Sequence, residues 1–243
     1  MMAIIGGTGL AGLTDLSDTR RRVVRTPYGD PSCALTFGRI GATEIVFLAR
    51  HGYGHTIPPH QINYRANIWA LREAGAERIV AVATVGGIRD EFGPGEVIVP
   101  DQIIDYTHDR KSTFFEGPDA AVTHVDFTEP YDGELRRVLL EAGARVGLAV
   151  HDGGCYGCTQ GPRLETAAEI RRMARDGCDL VGMTGMPEAL LARELGLPYA
   201  CIAVVANHAA GLESSRQGIS MTGIREVLDE AIGRVHQLLT ACC

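Results

Sequence analysis

The chain of 243 residues contains no run approaching the roughly 20 consecutive apolar residues that would span a bilayer. Met1-Met2-Ala3-Ile4-Ile5 runs straight into glycines, without the basic segment and apolar stretch of a secretory leader. An excess of positive charge is also missing. Lys and Arg number 23 against 30 Asp and Glu, a net charge of −7. That balance argues against a broad nucleic-acid or anionic-membrane surface, so no nucleic-acid or membrane partner is expected. Any anion site has to be local, built from a few arginines and backbone amides. The seven cysteines are odd in number and scattered, which excludes a disulfide framework and points to a reducing compartment, hence a cytoplasmic location. Cys155 and Cys158 form a C-x-x-C pair with neither a second pair nor clustered histidines beside it. A structural role is expected for them, and no metal. Cys242 and Cys243 read as exposed tail residues. No repeat, low-complexity stretch or charged linker interrupts the chain, so residues 1–243 are expected to form a single domain.

What is present is an alternation of buried strands and amphipathic helices. An apolar fraction of 45% and 30 glycines suit a turn-rich α/β protein large enough to bury its own core. Strands are predicted at Ala3–Ile5, Glu44–Ala49, Arg78–Thr84, Val97–Val99, Leu148–Val150, Asp179–Val181 and Tyr199–Val205. Helices are predicted at Gln61–Ala74, where Ile62, Ala66, Trp69 and Ala70 recur at helical spacing, and at Tyr131–Ala144 and Glu165–Ala174. Another opens at Pro187 and closes at Gly196, and the last spans Thr222–Leu239. Strands alternating with helices imply an α/β fold with a mainly parallel central sheet. Polar, glycine-rich sequence follows several strands, and in such sheets ligands bind beyond the carboxyl ends of strands.

Three of these strand ends carry anion-binding chemistry. Gly7-Thr8-Gly9-Leu10-Ala11-Gly12 matches G-x-G-x-x-G and admits three readings. A dinucleotide site needs a helix opening here and an acidic residue about 20 positions on. Asp30 has that spacing but lies in a turn-like segment. An oxyanion loop needs only the glycine amides and the Thr8 hydroxyl. A plain tight turn needs neither. Arg50-His51 sets a permanent cation and an imidazole at a strand end, and Arg suits bidentate contact with phosphate oxygens. Thr184 supplies a further hydroxyl.

Ile5 to Leu10, Leu48 to Gly52, Asn63 to Leu71, Gly161-Pro162-Arg163 and Met183 to Glu188 together resemble the methylthioadenosine and purine nucleoside phosphorylase family. The resemblance runs from residue 4 to about 240 in the same order. It implies a single-domain nucleoside phosphorylase fold around a distorted mixed sheet flanked by helices. It also implies a phosphate site of Thr8, Arg50, His51, Thr84 and Thr184, with Met183 against the ribose. No cofactor is implied, because inorganic phosphate is a co-substrate. The family usually assembles as a homotrimer in which a neighbouring subunit's histidine reaches the site, and His124 falls at the matching position.

Two departures from the family pattern bear on the substrate. Adenine-specific members carry aspartates where this chain has Asn207 and Ala209. Members that cleave inosine and guanosine use an Asn and a Glu, matched here by Asn207 and Glu165, with Leu164 beside the latter. A carboxylate accepts the N1–H of a 6-oxopurine and a carboxamide can donate to O6 or N7, whereas adenine presents the opposite pattern. Inosine-cleaving relatives place a histidine near the 5′-hydroxyl, where this chain has Met221, flanked by Ile219 and Ile224. A thioether there suits a 5′-methylthio group. The expected activity is therefore phosphorolysis of S-methyl-5′-thioinosine, with Asn207 and His51 as catalytic groups. An inosine, guanosine or methylthioadenosine phosphorylase is the alternative of the same chemistry, and an NAD-dependent dehydrogenase is the alternative of a different class.

Overall fold

In the computed structural model, which describes residues 1–10, 16–118 and 120–243, eleven strands share a sheet. In chain order they begin with β1 (Met2–Gly6), β2 (Ser17–Arg22), β3 (Leu35–Ile40) and β4 (Thr43–Ala49). A 3₁₀ turn at Pro59–Gln61 leads into helix α1 (Tyr64–Glu73), followed by β5 (Arg78–Gly87), β6 (Val97–Val99) and β7 (Gln102–Asp105). Next come α2 (Gly133–Arg145), β8 (His151–Asp152), β9 (Cys155–Cys158), α3 (Ala167–Asp176), β10 (Leu180–Gly182) and α4 (Glu188–Glu194). The chain closes with β11 (Tyr199–His208) and α5 (Met221–Ala241).

β5 organises the sheet. Val80 and Val82 face one layer while Ile79, Ala81 and Ala83 face the other, so a strand buried on both sides reads as a continuous apolar run. One edge of β5 pairs parallel with β11 along its length. The other edge is shared: Arg78–Ala81 pair parallel with β1, and Gly86–Gly87 pair antiparallel with β10. This division makes the sheet branch at β5. From β1 the order runs outward through β4 and β3 to β2, and from β10 through β9 to β7, while β11 carries β6 and then β8. The sheet is mixed, with antiparallel pairs at β2–β3, β3–β4, β5–β10 and β6–β11.

Two core clusters cover the two faces. α1 and α4 pack on one through Ile68, Leu71 and Leu191, and α2 and α5 on the other through Leu139, Val235 and Leu238. Helix punctuation is explicit in the sequence. Asn63 caps α1, Asp132 caps α2, and Thr166 caps α3 in a capping box with Glu169. Gly177, at φ +96°, ends α3 in the left-handed conformation a Cβ would oppose.

Most expected elements are found, with ends moved by up to about three residues. The Leu148–Val150 strand is a correction: pairing with β6 begins at His151, and Leu148 and Val150 instead pack against the core from an irregular segment. A further correction concerns Cys242, which is buried beside Leu238 and Leu239, whereas Cys243 is exposed. The strands β2, β3, β7 and β9 were not expected. β2 (SDTRRR) is exposed along its whole length and has no apolar alternation to reveal it. Residues 11–15, which include Ala11 and Gly12 of the Gly7–Gly12 motif, lie outside the described residues. The next described element is β2, an edge strand antiparallel to β3, and not the helix a dinucleotide site requires. Asp30 lies just beyond a Thr26–Gly29 bridge rather than at a second parallel strand's end.

Candidate active site

The carboxyl ends of β1, β4, β5 and β11 converge on a cleft of about 570 Å³. Thr8, Arg50, His51, Thr84 and Thr184 line it, as do Leu164, Glu165, Met183, Asn207, Met221 and Ile224. All eleven residues that sequence reasoning assigned to a site within the chain therefore meet in one cavity. His124 does not line it; it sits on an exposed segment of the surface.

Arg50 is held far more tightly than an exposed cation. Its amide donates to the Gly6 carbonyl at 3.0 Å, carrying the β1–β4 pairing one residue further. Its side chain is 1% exposed, and Nε and Nη2 donate to the two carboxylate oxygens of Glu188 at 2.7 and 2.8 Å. Nη1 donates to the Val82 carbonyl at 2.9 Å. Glu188, itself fully buried, also accepts from the Tyr199 hydroxyl at 2.8 Å. Burial, the largest single influence, would lower the Arg50 pKa; the charge and hydrogen bonds of Glu188, with Tyr199 and Tyr64, together outweigh it and raise the pKa above its ordinary value. Glycine at position 7 makes this possible, because a Cβ there would lie 2.6 Å from the Val82 carbonyl oxygen and 2.9 Å from Arg50 Nη1.

His51 is the complementary case. Its Nδ1 lies 2.8 Å from the Ile57 carbonyl, which can only accept, so Nδ1 carries the proton and Nε2 is an acceptor. Burial, reinforced by the Arg50 charge, pushes its pKa down to about 4. The ring is neutral at pH 7 and packs against His55 at 4.5 Å. An anion entering this end meets a charge-compensated arginine, a neutral imidazole and the Thr8, Thr84 and Thr184 side chains. The Thr84 hydroxyl donates to the Thr8 carbonyl at 3.1 Å, which ties the glycine loop to β5.

At the other end, Asn207 owes its placement to a bulge. β11 and β5 run in register to Val205 opposite Val85, then Ala206 is skipped and Asn207 lies opposite Gly86. The extra residue breaks the strict alternation of side chains, a common device for re-aiming a functional group. One Asn207 Nδ2–H donates to the His208 carbonyl at 2.6 Å, and the amide carries a second. Glu165 lies just ahead of α3 but takes no part in its capping, which falls to Thr166 and Glu169. Its Oε1 accepts instead from the Thr159 hydroxyl at 2.7 Å. Leu164 is 40% and Met221 60% exposed, leaving an apolar rim at the mouth of the cleft.

Sequence reasoning missed the residues that hold these groups: Glu188 and Tyr199 behind Arg50, Ile57 behind His51, and Thr159 behind Glu165. Arg110 was missed as well. It donates to the carbonyls of Met183 and Met186 at 2.9 and 2.5 Å, and to those of Thr159 and Gln160 at 3.2 and 2.8 Å. One guanidinium thus ties the Thr159–Gln160 segment to the Met183–Met186 segment, of which Met183 lines the cleft. In the sequence Glu188 shows only as the end of the Met183–Glu188 resemblance and as a glutamate in a helix's first turn, which reads equally well as a partner of the helix dipole; neither points to Arg50. Among the described residues no cluster of His, Cys, Asp or Glu could hold a metal ion. None of their helices is long and apolar enough to cross a membrane. Cys158 is buried against Met186, whereas Cys155 packs toward Cys178, so the C-x-x-C pair does not act as one group.

A mixed sheet split along one central strand, with its cleft at the strand ends, is the nucleoside phosphorylase fold. The chain belongs to the phosphorylase superfamily, whose family model matches residues 2–243. It is 54% identical over 237 residues to a probable S-methyl-5′-thioinosine phosphorylase of Pseudomonas syringae pv. tomato, covering 98% of this chain and 96% of the relative. It is 50% identical over 220 residues to the 6-oxopurine nucleoside phosphorylase of Pyrococcus furiosus, covering 88% and 82% of the two chains. Among solved structures, methylthioadenosine phosphorylase from Schistosoma mansoni in complex with adenine superposes with a TM-score of 0.94. That match has 32% identity and covers 99% of this chain and 90% of the other.

Proposed function

We propose that the protein catalyses phosphorolysis of S-methyl-5′-thioinosine, giving hypoxanthine and 5-methylthioribose 1-phosphate. The observation that carries this reading is the presence of Glu165 and Asn207 in the same cleft as the Arg50–His51 pair, with Met221 and Ile224 alongside. Its strongest outside support is the name borne by the Pseudomonas syringae relative.

In this reading residues 1–243 act as a single phosphorylase domain. Arg50, His51, Thr8, Thr84 and Thr184 bind hydrogen phosphate below the anomeric carbon, converting a bimolecular encounter into an oriented one. Neutral His51 accepts from the P–OH through Nε2. A phosphate oxygen forms the new bond to C1′ as the C1′–N9 bond breaks and its electron pair passes to the purine. Asn207 directs its remaining Nδ2–H toward N7 or O6, where negative charge grows, and Glu165 accepts the N1–H. The proton lost by hydrogen phosphate balances the one the free base gains. Met183 packs on the ribose and Met221 and Ile224 on the methylthio group, with His124 of a neighbouring subunit completing the site in a homotrimer. Phosphate is a co-substrate, no cofactor takes part, and the enzyme works in the cytoplasm.

Phosphate-dependent cleavage of methylthioinosine, methylthioadenosine, inosine and guanosine, measured side by side, tests this. Methylthioinosine is expected to have the highest kcat/KM. Faster inosine or guanosine cleavage would refute the apolar 5′ pocket, and faster methylthioadenosine cleavage would refute the Glu165–Asn207 reading.

A further inference from the structure

Thr159 stands one residue beyond β9 and outside the lining of the cleft, yet its hydroxyl makes the hydrogen bond that orients Glu165. The side chain is 9% exposed and its backbone is fixed on both sides. The Thr159 amide donates to the Gly182 carbonyl at 2.8 Å, and its own carbonyl accepts from Arg110 Nη2 at 3.2 Å. The hydroxyl has one proton and two acceptors in range, Glu165 Oε1 at 2.7 Å and the Gly182 carbonyl at 3.2 Å. Gly182 already receives the Thr159 amide, and a carboxylate is the stronger acceptor, so the proton belongs to Glu165.

We propose that Thr159 is the positioning residue of base recognition. By bonding Oε1 it fixes the carboxylate plane and leaves Oε2 as the unconstrained acceptor, and so favours a hypoxanthine-type base over a guanine-type base. The inference rests on the assignment of Glu165 to the purine. A hypoxanthine-type base offers this carboxylate a single N1–H. A guanine-type base adds a 2-amino donor, and reading both donors together asks for both carboxylate oxygens. The Thr159 hydroxyl takes one of the two lone-pair sites of Oε1 at 2.7 Å and fixes the direction of the other, so a second donor on the base can share that oxygen only from the direction this bond leaves open.

The test measures dissociation constants of free hypoxanthine, guanine and adenine in saturating inorganic phosphate, for the native enzyme, Thr159→Val and Thr159→Ser. Valine keeps the shape and removes the hydroxyl; serine keeps the hydroxyl. The native enzyme is expected to bind hypoxanthine most tightly. Thr159→Val is expected to lose about tenfold in hypoxanthine affinity, the scale of one charge-assisted hydrogen bond, with the hypoxanthine-to-guanine preference collapsing toward one. Thr159→Ser should stay within about threefold of the native enzyme. A purely structural role would weaken all three bases alike. A Thr159→Val enzyme that keeps the native hypoxanthine-to-guanine ratio overturns the proposal, as does a native enzyme that prefers guanine. A native enzyme that prefers adenine instead refutes the assignment of Glu165 itself, which separates the two failures.

Discussion

The Arg50 guanidinium and the Glu188 carboxylate, 138 positions apart in sequence, meet in a two-point ion pair with no exposure to speak of on either side. The pair shapes the end of the cleft proposed to bind phosphate by holding the arginine still and cancelling its charge within the protein. Removing one partner leaves the other charge buried and uncompensated, which costs about 3–5 kcal/mol in comparable cases. Glu188→Gln is therefore expected to lose about 3 kcal/mol in urea unfolding and to raise the KM for phosphate at least as much as that for nucleoside. An unfolding free energy within about 1 kcal/mol of the native protein would contradict this account of the pair.

His51 predicts a pH dependence whose sign can be worked out. Its folded pKa is about 4, below the ordinary 6.5, so between those values the unfolded chain binds more protons than the folded one. The stabilisation is complete above pH 6.5 and is lost as pH falls toward 4. That gap is worth up to about 3 kcal/mol. In phosphate-free urea titrations at pH 7 and pH 4.5, His51→Asn should lose markedly less stability than the native protein over that interval. Identical losses would show that His51 does not carry the effect.

Asn207→Asp reverses the donor–acceptor pattern offered to the base. The ratio of kcat/KM for methylthioinosine to that for methylthioadenosine should fall by at least about tenfold, because a site built around a hydrogen bond discriminates strongly. Unchanged selectivity would remove Asn207 from base recognition.

Met221 lines the cleft and is 60% exposed at its mouth, and in the proposed function it covers the 5′-methylthio group. Met221→Ser is expected to lower kcat/KM for methylthioinosine by about fivefold to tenfold, the value of one or two lost methylene-sized contacts. Inosine, with its 5′-hydroxyl, should be affected far less. Equal loss on both substrates would count against an apolar 5′ subsite.

Much of this protein can be read along the chain. The apolar runs of β1, β4, β5 and β11 and the caps at Asn63, Asp132 and Thr166 are local features, recorded in residue type and spacing. Most of the candidate site residues are legible for the same reason, since they sit at strand ends or in loops whose sequence resembles that of a known family, while Met221 and Ile224 lie in the first turn of α5. What neighbouring residues cannot record is long-range pairing. β2 has no apolar face because it is an exposed edge, so nothing in SDTRRR announces a strand until β3 is beside it. The burial of Glu188 against Arg50, the bulge that re-aims Asn207 and the hold of Thr159 on Glu165 each depend on a neighbour brought alongside by folding. Residue type determined which groups could do the chemistry. The sheet, by setting strands from distant parts of the chain edge to edge, decided which of those groups are neutral, which are held still, and which atom each presents to the cleft.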